Sequence, residues 1–175
     1  GIFIMLFYFI EKISFNKNML LIISLIYISS LSVYAFERNK TWENSITVWN
    51  DVLKKHPNNA WVLNMKGKAY ANENRYDAAI KTLQKAIKLK PKMYIAHYNL
   101  GNAFQKKGML EKAYRSYEQA IILQHNFAPA WLNAGSIMLK TKQYGQALYA
   151  FNQAIKYDPN YSEAYYNKGY LKLIE

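Results

Sequence analysis

At 175 residues the chain has room for one domain and an anchor, and its lack of Cys excludes disulfides and thiolate-bound metals. The net charge of +12 comes from Lys and Arg spread along the chain, with no dense basic run, so it reads as a solvated surface and excludes a nucleic-acid footprint. Aromatics make up 16% of the residues, including 16 Tyr, which suits helices packed through large side chains.

Taken in chain order, residues 1–10 are uncharged and apolar but too short to span a bilayer; they are expected to end a transmembrane helix, with 11–18 as a connecting loop. Residues 19–36, MLLIISLIYISSLSVYAF, carry no charge, and as a helix they reach about 27 Å, near the thickness of a hydrocarbon core. This predicts a transmembrane helix whose Ser hydroxyls (Ser24, Ser29, Ser30, Ser32) bond back to their own backbone. A signal peptide is the competing reading, but no small-x-small cleavage site follows. Lys12 and Lys17 on one side nearly balance Arg38 and Lys40 on the other, so positive charge sets no orientation. The chain opens on Gly1 and stops inside a helical pattern at Leu171 to Glu175, and it reads as part of a longer protein.

Beyond the anchor, the sequence repeats itself. Gly67, Gly101, Gly135 and Gly169 are spaced by 34 residues, as are Ala79, Ala113 and Ala147, and Ala86, Ala120 and Ala154. Pro57, Pro91 and Pro159 keep the interval, with His125 where another Pro is due. Tyr70 and Phe104 follow the Gly by three, with Met138 in the third copy, and Leu83, Tyr117 and Phe151 follow the first Ala by four.

This pattern resembles the tetratricopeptide repeat (TPR) family. The resemblance implies an all-α solenoid of antiparallel helical hairpins, with units 60–93, 94–127, 128–161 and a partial 162–175. Helices are expected near 60–72, 76–90, 94–107, 110–123, 128–141, 144–157 and 162–174. A capping half-repeat, 41–57, occupies the place of a second helix, with Thr41 as its N-cap and Trp49 in the large-residue position. Gly and the first Ala let the paired backbones approach, the later Ala admits the next unit, and Pro ends the second helix. Two departures stand out: Lys66 replaces a packing Leu, and His125 replaces Pro, which predicts a looser turn there.

A second resemblance lies at the junction. The run Glu37-Arg-Asn-Lys-Thr-Trp42, then Val48-Trp49-Asn50-Asp51-Val52 and Pro57-Asn-Asn-Ala60, resembles the segment joining the last membrane helix to the repeats in protein O-mannosyltransferase-like membrane proteins. It implies a C-terminal TPR region of a polytopic GT-C type protein glycosyltransferase. The sugar-transfer residues would then lie outside this chain, and the repeats would face the periplasm or lumen.

The expected binding surface is the concave face lined by first helices. Two residues before successive Gly stand Asn99, Asn133 and Asn167, a ladder of amides able to pair with the backbone of an extended peptide. It is similar to the Asn ladder of the nucleocytoplasmic O-GlcNAc transferase. Helical spacing adds Asn64, Lys68, Tyr98, Asn102, Lys106 and Lys140 to that face, and the Lys residues favour an acidic ligand. The clamp of chaperone-binding TPR domains is not matched, because Asn64 and Lys68 have its residue types swapped. His56, His97 and His125 are scattered, and no metal spacing, nucleophile motif or phosphate loop occurs. His97, Trp61 and Trp131 are expected to pack between helices. The sequence thus predicts no catalysis and no cofactor by this chain: an integral membrane protein, touching lipid through 19–36 and binding a protein or peptide with its array.

Overall fold

The computed structural model describes residues 17–40 and 45–174. Expectations for 1–10, for most of the 11–18 loop, and for Thr41 as an N-cap lie outside those residues. The chain divides into two compact units, 1–43 and 44–175.

Among the described residues of the first unit, helix α1 (Lys17–Lys40) contains the apolar stretch; its described part starts at Lys17, inside the expected loop. Its Ser hydroxyls do turn to their own backbone: Ser24 to Leu21 O at 2.8 Å, Ser29 to Ile26 O at 2.8 Å, Ser30 to Tyr27 O at 2.7 Å and Ser32 to Ile28 O at 2.9 Å. Residues 21–35 are all exposed. Among the described residues no helix is long and apolar enough to cross a membrane; the described side chains of α1 are those of Met19 and 21–35.

The second unit is a series of hairpins. Helix α2 (Ser45–Lys55) is followed by α3 (Ala60–Asn72), α4 (Tyr76–Leu89), α5 (Tyr94–Lys106), α6 (Leu110–Leu123), α7 (Ala128–Lys140), α8 (Tyr144–Tyr157) and α9 (Ser162–Ile174). From α3 on, each end falls within a residue of the expected range. The pairs α3/α4, α5/α6 and α7/α8 are the hairpins, stacked in chain order.

The periodic residues explain the stacking. A Cβ on Gly67 would stand 2.5 Å from Leu83, on Gly101 2.5 Å from Tyr117 and on Gly135 2.8 Å from Phe151. Each first helix therefore yields its missing side chain to the large residue of its partner. Ala79, Ala113 and Ala147, with Ala86, Ala120 and Ala154, have no exposed surface and set the close approach. Successive hairpins share one core: Leu83, Leu100, Phe104, Tyr117, Ile121 and Ile137 pack together across three repeats. Such sharing is what makes a single unit unstable and a stack stable.

The turn inside each hairpin needs a left-handed residue. It is Asn74 (φ 59°), Gly108 (φ 80°) and Lys142 (φ 61°), again 34 apart. The N–H of the next residue closes each turn on a carbonyl five back, Arg75 on Tyr70, Met109 on Phe104 and Gln143 on Met138. The turn between hairpins corrects one expectation. At His125 it is not looser: Gln124 N bonds Ala120 O at 2.9 Å and Phe127 N bonds Gln124 O at 3.1 Å, matching Lys90–Ala86 and Met93–Lys90 at the Pro91 turn. The Trp131 indole N–H donates to His125 O at 2.7 Å, and the His125 ring packs edge-on against Trp131 and Tyr157. His97, one period before Trp131, sits in the same way, with Nε2 2.9 Å from Pro91 O. The carbonyl that follows the second helix is thus tied down by a ring on the next first helix, with or without Pro.

Two other departures resolve locally. Lys66 is half-buried with its Nζ 5.5 Å from the Tyr70 ring centroid, a cation over an aromatic face that accommodates charge where Leu is usual. Trp61, expected to pack between helices, is 57% exposed. It lies in the first turn of α3, ahead of the buried Val62 and Leu63, and the Asn59 cap fixes that turn by accepting from Trp61 N and Val62 N at 3.0 and 3.2 Å.

Candidate functional site

The first helices α3, α5, α7 and α9 carry all the residues expected on the peptide-binding face. The structure divides them into a buried seam and a surface. Asn64 is fully buried and Asn99 nearly so; the Asn99 amide donates to Asn64 Oδ1 at 2.9 Å. They bolt α5 to α3 instead of standing free in a groove, a correction to their expected role. The two amides, 35 residues apart on successive first helices, satisfy each other across the α3–α5 contact. The Asn64 Nδ2 has no partner in this seam.

That orphan makes the seam sensitive. Asn99→Ala strips Asn64 of its remaining hydrogen bond inside a dry contact, a loss of about 1–3 kcal/mol. Thermal unfolding followed by circular dichroism should show a midpoint several degrees lower. An unchanged midpoint would mean that the pair contributes nothing.

One repeat on, the arrangement opens. Asn133, half-buried on α7, donates to Asn102 Oδ1 at 2.9 Å and lies 3.4 Å from the Tyr98 hydroxyl. The Tyr117 hydroxyl reaches the same group from α6, 2.7 Å from Asn102 Oδ1 and 2.6 Å from Gln105 Oε1. With one proton it donates to one of the two. Asn102 Oδ1 is already an acceptor for Asn133, so the Gln105 amide turned over, donating to the phenol oxygen, satisfies every member. Burial first, and then the Tyr98 phenol, push the Tyr117 pKa well above the ordinary tyrosine value, against the Asn133 hydrogen bond, which lowers it. Tyr117 is therefore a neutral donor at physiological pH. Tyr98 packs at a tilt against Tyr117 and meets Phe127 edge-on, at 5.8 and 5.1 Å between centroids. The half-exposed edge of this network, made of Tyr98, Asn102 and Asn133, is rigidly held.

Asn167 is half-buried on α9, with no recorded hydrogen bond among the described residues. Lys68, Lys106 and Lys140 are exposed near the C-terminal ends of α3, α5 and α7. Among the described residues none of them joins an ion pair; the pairs there are Arg75–Glu73, Lys107–Asp77 and Arg115–Glu111. The first helices thus offer three amides, a phenol and three unneutralised cations. Among the described residues no three His, Asp or Glu gather as a metal site would require.

The sequence reading missed a second feature. A cleft of about 420 Å³ lies between α6, α7 and α8, lined among others by Tyr114, Glu118, Trp131, Ala134, Gly145 and Tyr149. Its signal was available one period apart, where Leu100 and Glu111 become Ala134 and Gly145.

Comparison with known proteins gives the same architecture. The family description "Tetratricopeptide repeat" matches residues 48–81 and 94–127, and "TPR repeat" matches 67–108 and 135–173. Among curated proteins, the chain is 35% identical over 69 residues to Protein O-mannosyl-transferase TMTC3 of Homo sapiens, covering 39% of this chain and 8% of that protein. The Mus musculus counterpart is 32% identical over 94 residues, 51% of this chain and 10% of the relative. The Peroxisomal targeting signal receptor of Candida glabrata is 35% identical over 65 residues, 37% and 11%. The chain therefore spans about a tenth of the length of these relatives. Among solved structures, MamA superposes with a TM-score of 0.67 at 28% identity, over 72% of this chain and 74% of that one. The Arabidopsis OM64 TPR domain gives 0.65 at 20% identity, over 67% and 97%. The first TPR of Spaghetti (RPAP3), bound to the HSP90 peptide SRMEEVD, gives 0.65 at 21%, over 66% and 92%. With the 34-residue register, the glycine set against a large side chain inside each hairpin and these matches together, the chain belongs to the tetratricopeptide repeat family.

Proposed function

We propose that the chain is a membrane-anchored protein-interaction module whose first-helix face binds an extended, acidic stretch of a partner protein. The observation that carries this reading is the half-exposed polar edge of Tyr98, Asn102 and Asn133, held by Tyr117, together with the exposed Lys68, Lys106 and Lys140 on the same set of first helices. Fixed amides pair with a peptide backbone whatever its side chains, and cations in a row select carboxylates. Pre-organisation matters because a rigid edge spends little entropy on binding. The fold has a precedent for such a ligand in the SRMEEVD complex, although the chemistry here rests on other residues. Asn167 extends the edge toward the C-terminal repeat.

Support for the anchor comes from α1. Residues 21–35 are uncharged and exposed, and the four Ser hydroxyls are satisfied within the helix. A helix with such a surface is stable in lipid, where its backbone bonds are all internal.

A peptide array probed with the 175-residue chain in detergent tests the binding face. Acidic extended peptides should bind. The Asn133→Ala, Lys106→Ala double substitution should weaken them at least tenfold while the helical signal is unchanged. Equal binding by the two proteins would sink the reading.

The junction run from Glu37 to Ala60 and the similarity to two O-mannosyl-transferases favour a second reading. In it the array recruits acceptor protein to a polytopic glycosyltransferase, on the periplasmic or luminal side, and the chemistry lies elsewhere in the parent protein. Sequence upstream of Gly1 decides: further membrane segments with an acidic pair in the first long loop support it, and a nearby start codon opposes it.

A further inference from the structure

The cleft between α6, α7 and α8 breaks the periodicity of the array. One repeat earlier the corresponding residues differ. Leu100 stands where Ala134 is, Phe104 where Met138 is, and Glu111 and Arg115 where Gly145 and Tyr149 are. Glu111 and Arg115 pair across one turn at 2.6 Å. In the later groove the pair is gone, the Leu is shortened to Ala, and a Cβ on Gly145 would meet nothing within 4 Å. The result is the 420 Å³ space, large enough for a side chain or small molecule.

What lines this space is specific. Trp131 and Tyr149 meet edge-on at 5.9 Å, and Trp131 is fixed through its indole N–H on His125 O. Tyr114 faces the same space. Glu118 also lines it, where the neighbouring repeats have the neutral amides Gln84 and Asn152. Among the described residues Glu118 makes no hydrogen bond or ion pair. Its charge is felt by Tyr114, whose pKa is raised by burial first and by Glu118 second. Among the described residues the cation–ring contacts fall on Tyr70, Phe104 and Tyr157, and none falls on the three rings of the cleft.

We infer that this cleft is a binding site for an organic cation, the guanidinium or ammonium of a basic side chain on a partner protein. Aromatic faces attract a cation through their quadrupole, and a lone carboxylate at the same space supplies the counter-charge. In a chain of net charge +12 the distant field repels cations, so selection depends on these near groups. The partner is taken from the protein-binding reading above. The site draws on α6, α7 and α8 and shares no lining residue with the Tyr98, Asn102 and Asn133 edge, so one partner could span both or two partners could bind separately.

Nuclear magnetic resonance of the 175-residue chain in detergent tests the site through the Trp131 indole N–H. N-acetylarginine amide should shift that resonance saturably. N-acetylcitrulline amide, the same shape without charge, should bind at least fivefold more weakly. Glu118→Gln, which installs the residue of the preceding repeat, should weaken the arginine amide at least fivefold. Gly145→Leu should abolish the shift by filling the space where a Cβ meets nothing. Equal effects of arginine and citrulline, indifference to Glu118→Gln, or a response to choline with none to arginine amide would each overturn the inference. Acidic-peptide binding at the Asn133 edge, measured on the same Glu118→Gln protein, should be unchanged, so the two readings fail separately.

Discussion

Replacing Tyr117 with Ala should lower the stability of the array by about 3–5 kcal/mol, the range for a large aromatic removed from a core. The ring is fully buried and fills the gap opposite Gly101. It packs in the cluster shared by three repeats, so its loss should loosen α5, α6 and α7 together. Tyr117→Phe separates packing from hydrogen bonding. The ring stays, while Asn102 and Gln105 each lose a partner, a cost of about 1–2 kcal/mol. The hydroxyl also leaves a signature in pH. Burial holds its pKa above the ordinary value of 10, so the folded chain keeps a proton that the unfolded chain releases. Stability is then fully present below pH 10 and falls as pH rises beyond it, by about 1.4 kcal/mol per unit for one such group. Tyr161, raised to about 12 by burial and then by Tyr98, Glu163 and Asp158, acts in the same direction. Unfolding midpoints measured from pH 8 to 11 should drop more steeply in the parent chain than in Tyr117→Phe. Parallel curves would contradict this account.

Gly101→Val should cost on the order of 3 kcal/mol, and Gly169→Val about 0.5 kcal/mol or less in either direction. The two glycines hold the same place in the repeat, yet a Cβ at Gly101 would lie 2.5 Å from the Tyr117 ring and a Cβ at Gly169 would touch nothing. The ring cannot yield, because its hydroxyl end is tied to α5 through Asn102 and Gln105. Opposite Gly169 no large residue of a following helix stands among the described residues. Thermal midpoints of the two variants should differ by roughly 10 °C. Equal midpoints would show that the close approach does not constrain these positions.

The sequence carried the fold because the 34-residue interval marks both partners of each close contact, the Gly and the large residue sixteen further on. Helix ends followed from the same marks. What the interval could not carry was depth. Asn64 and Asn99 share their position with Asn133 within one residue, but whether an amide faces a groove or another amide depends on how closely two first helices approach. That approach is a property of two helices together and is not visible at one position. Lys66 and His125 break the pattern as letters, but a ring contact and an indole hydrogen bond restore its geometry. The cleft at Glu118 was legible only by asking what each repeat lacks relative to its neighbour, namely Leu100 replaced by Ala134 and Glu111 by Gly145.

The most direct measurement places a photo-crosslinking residue on each side of the stack. The best acidic peptide from the array is added to the 175-residue chain in detergent. The crosslinker, p-benzoylphenylalanine, replaces Lys106 on the first-helix side or the exposed Ile122 on α6. Adducts from position 106 that excess unlabelled peptide removes, with none from position 122, are the predicted result. Adducts from 122 alone, or none from 106 at saturating peptide, would contradict the claim that the first-helix face is where this chain binds its partner.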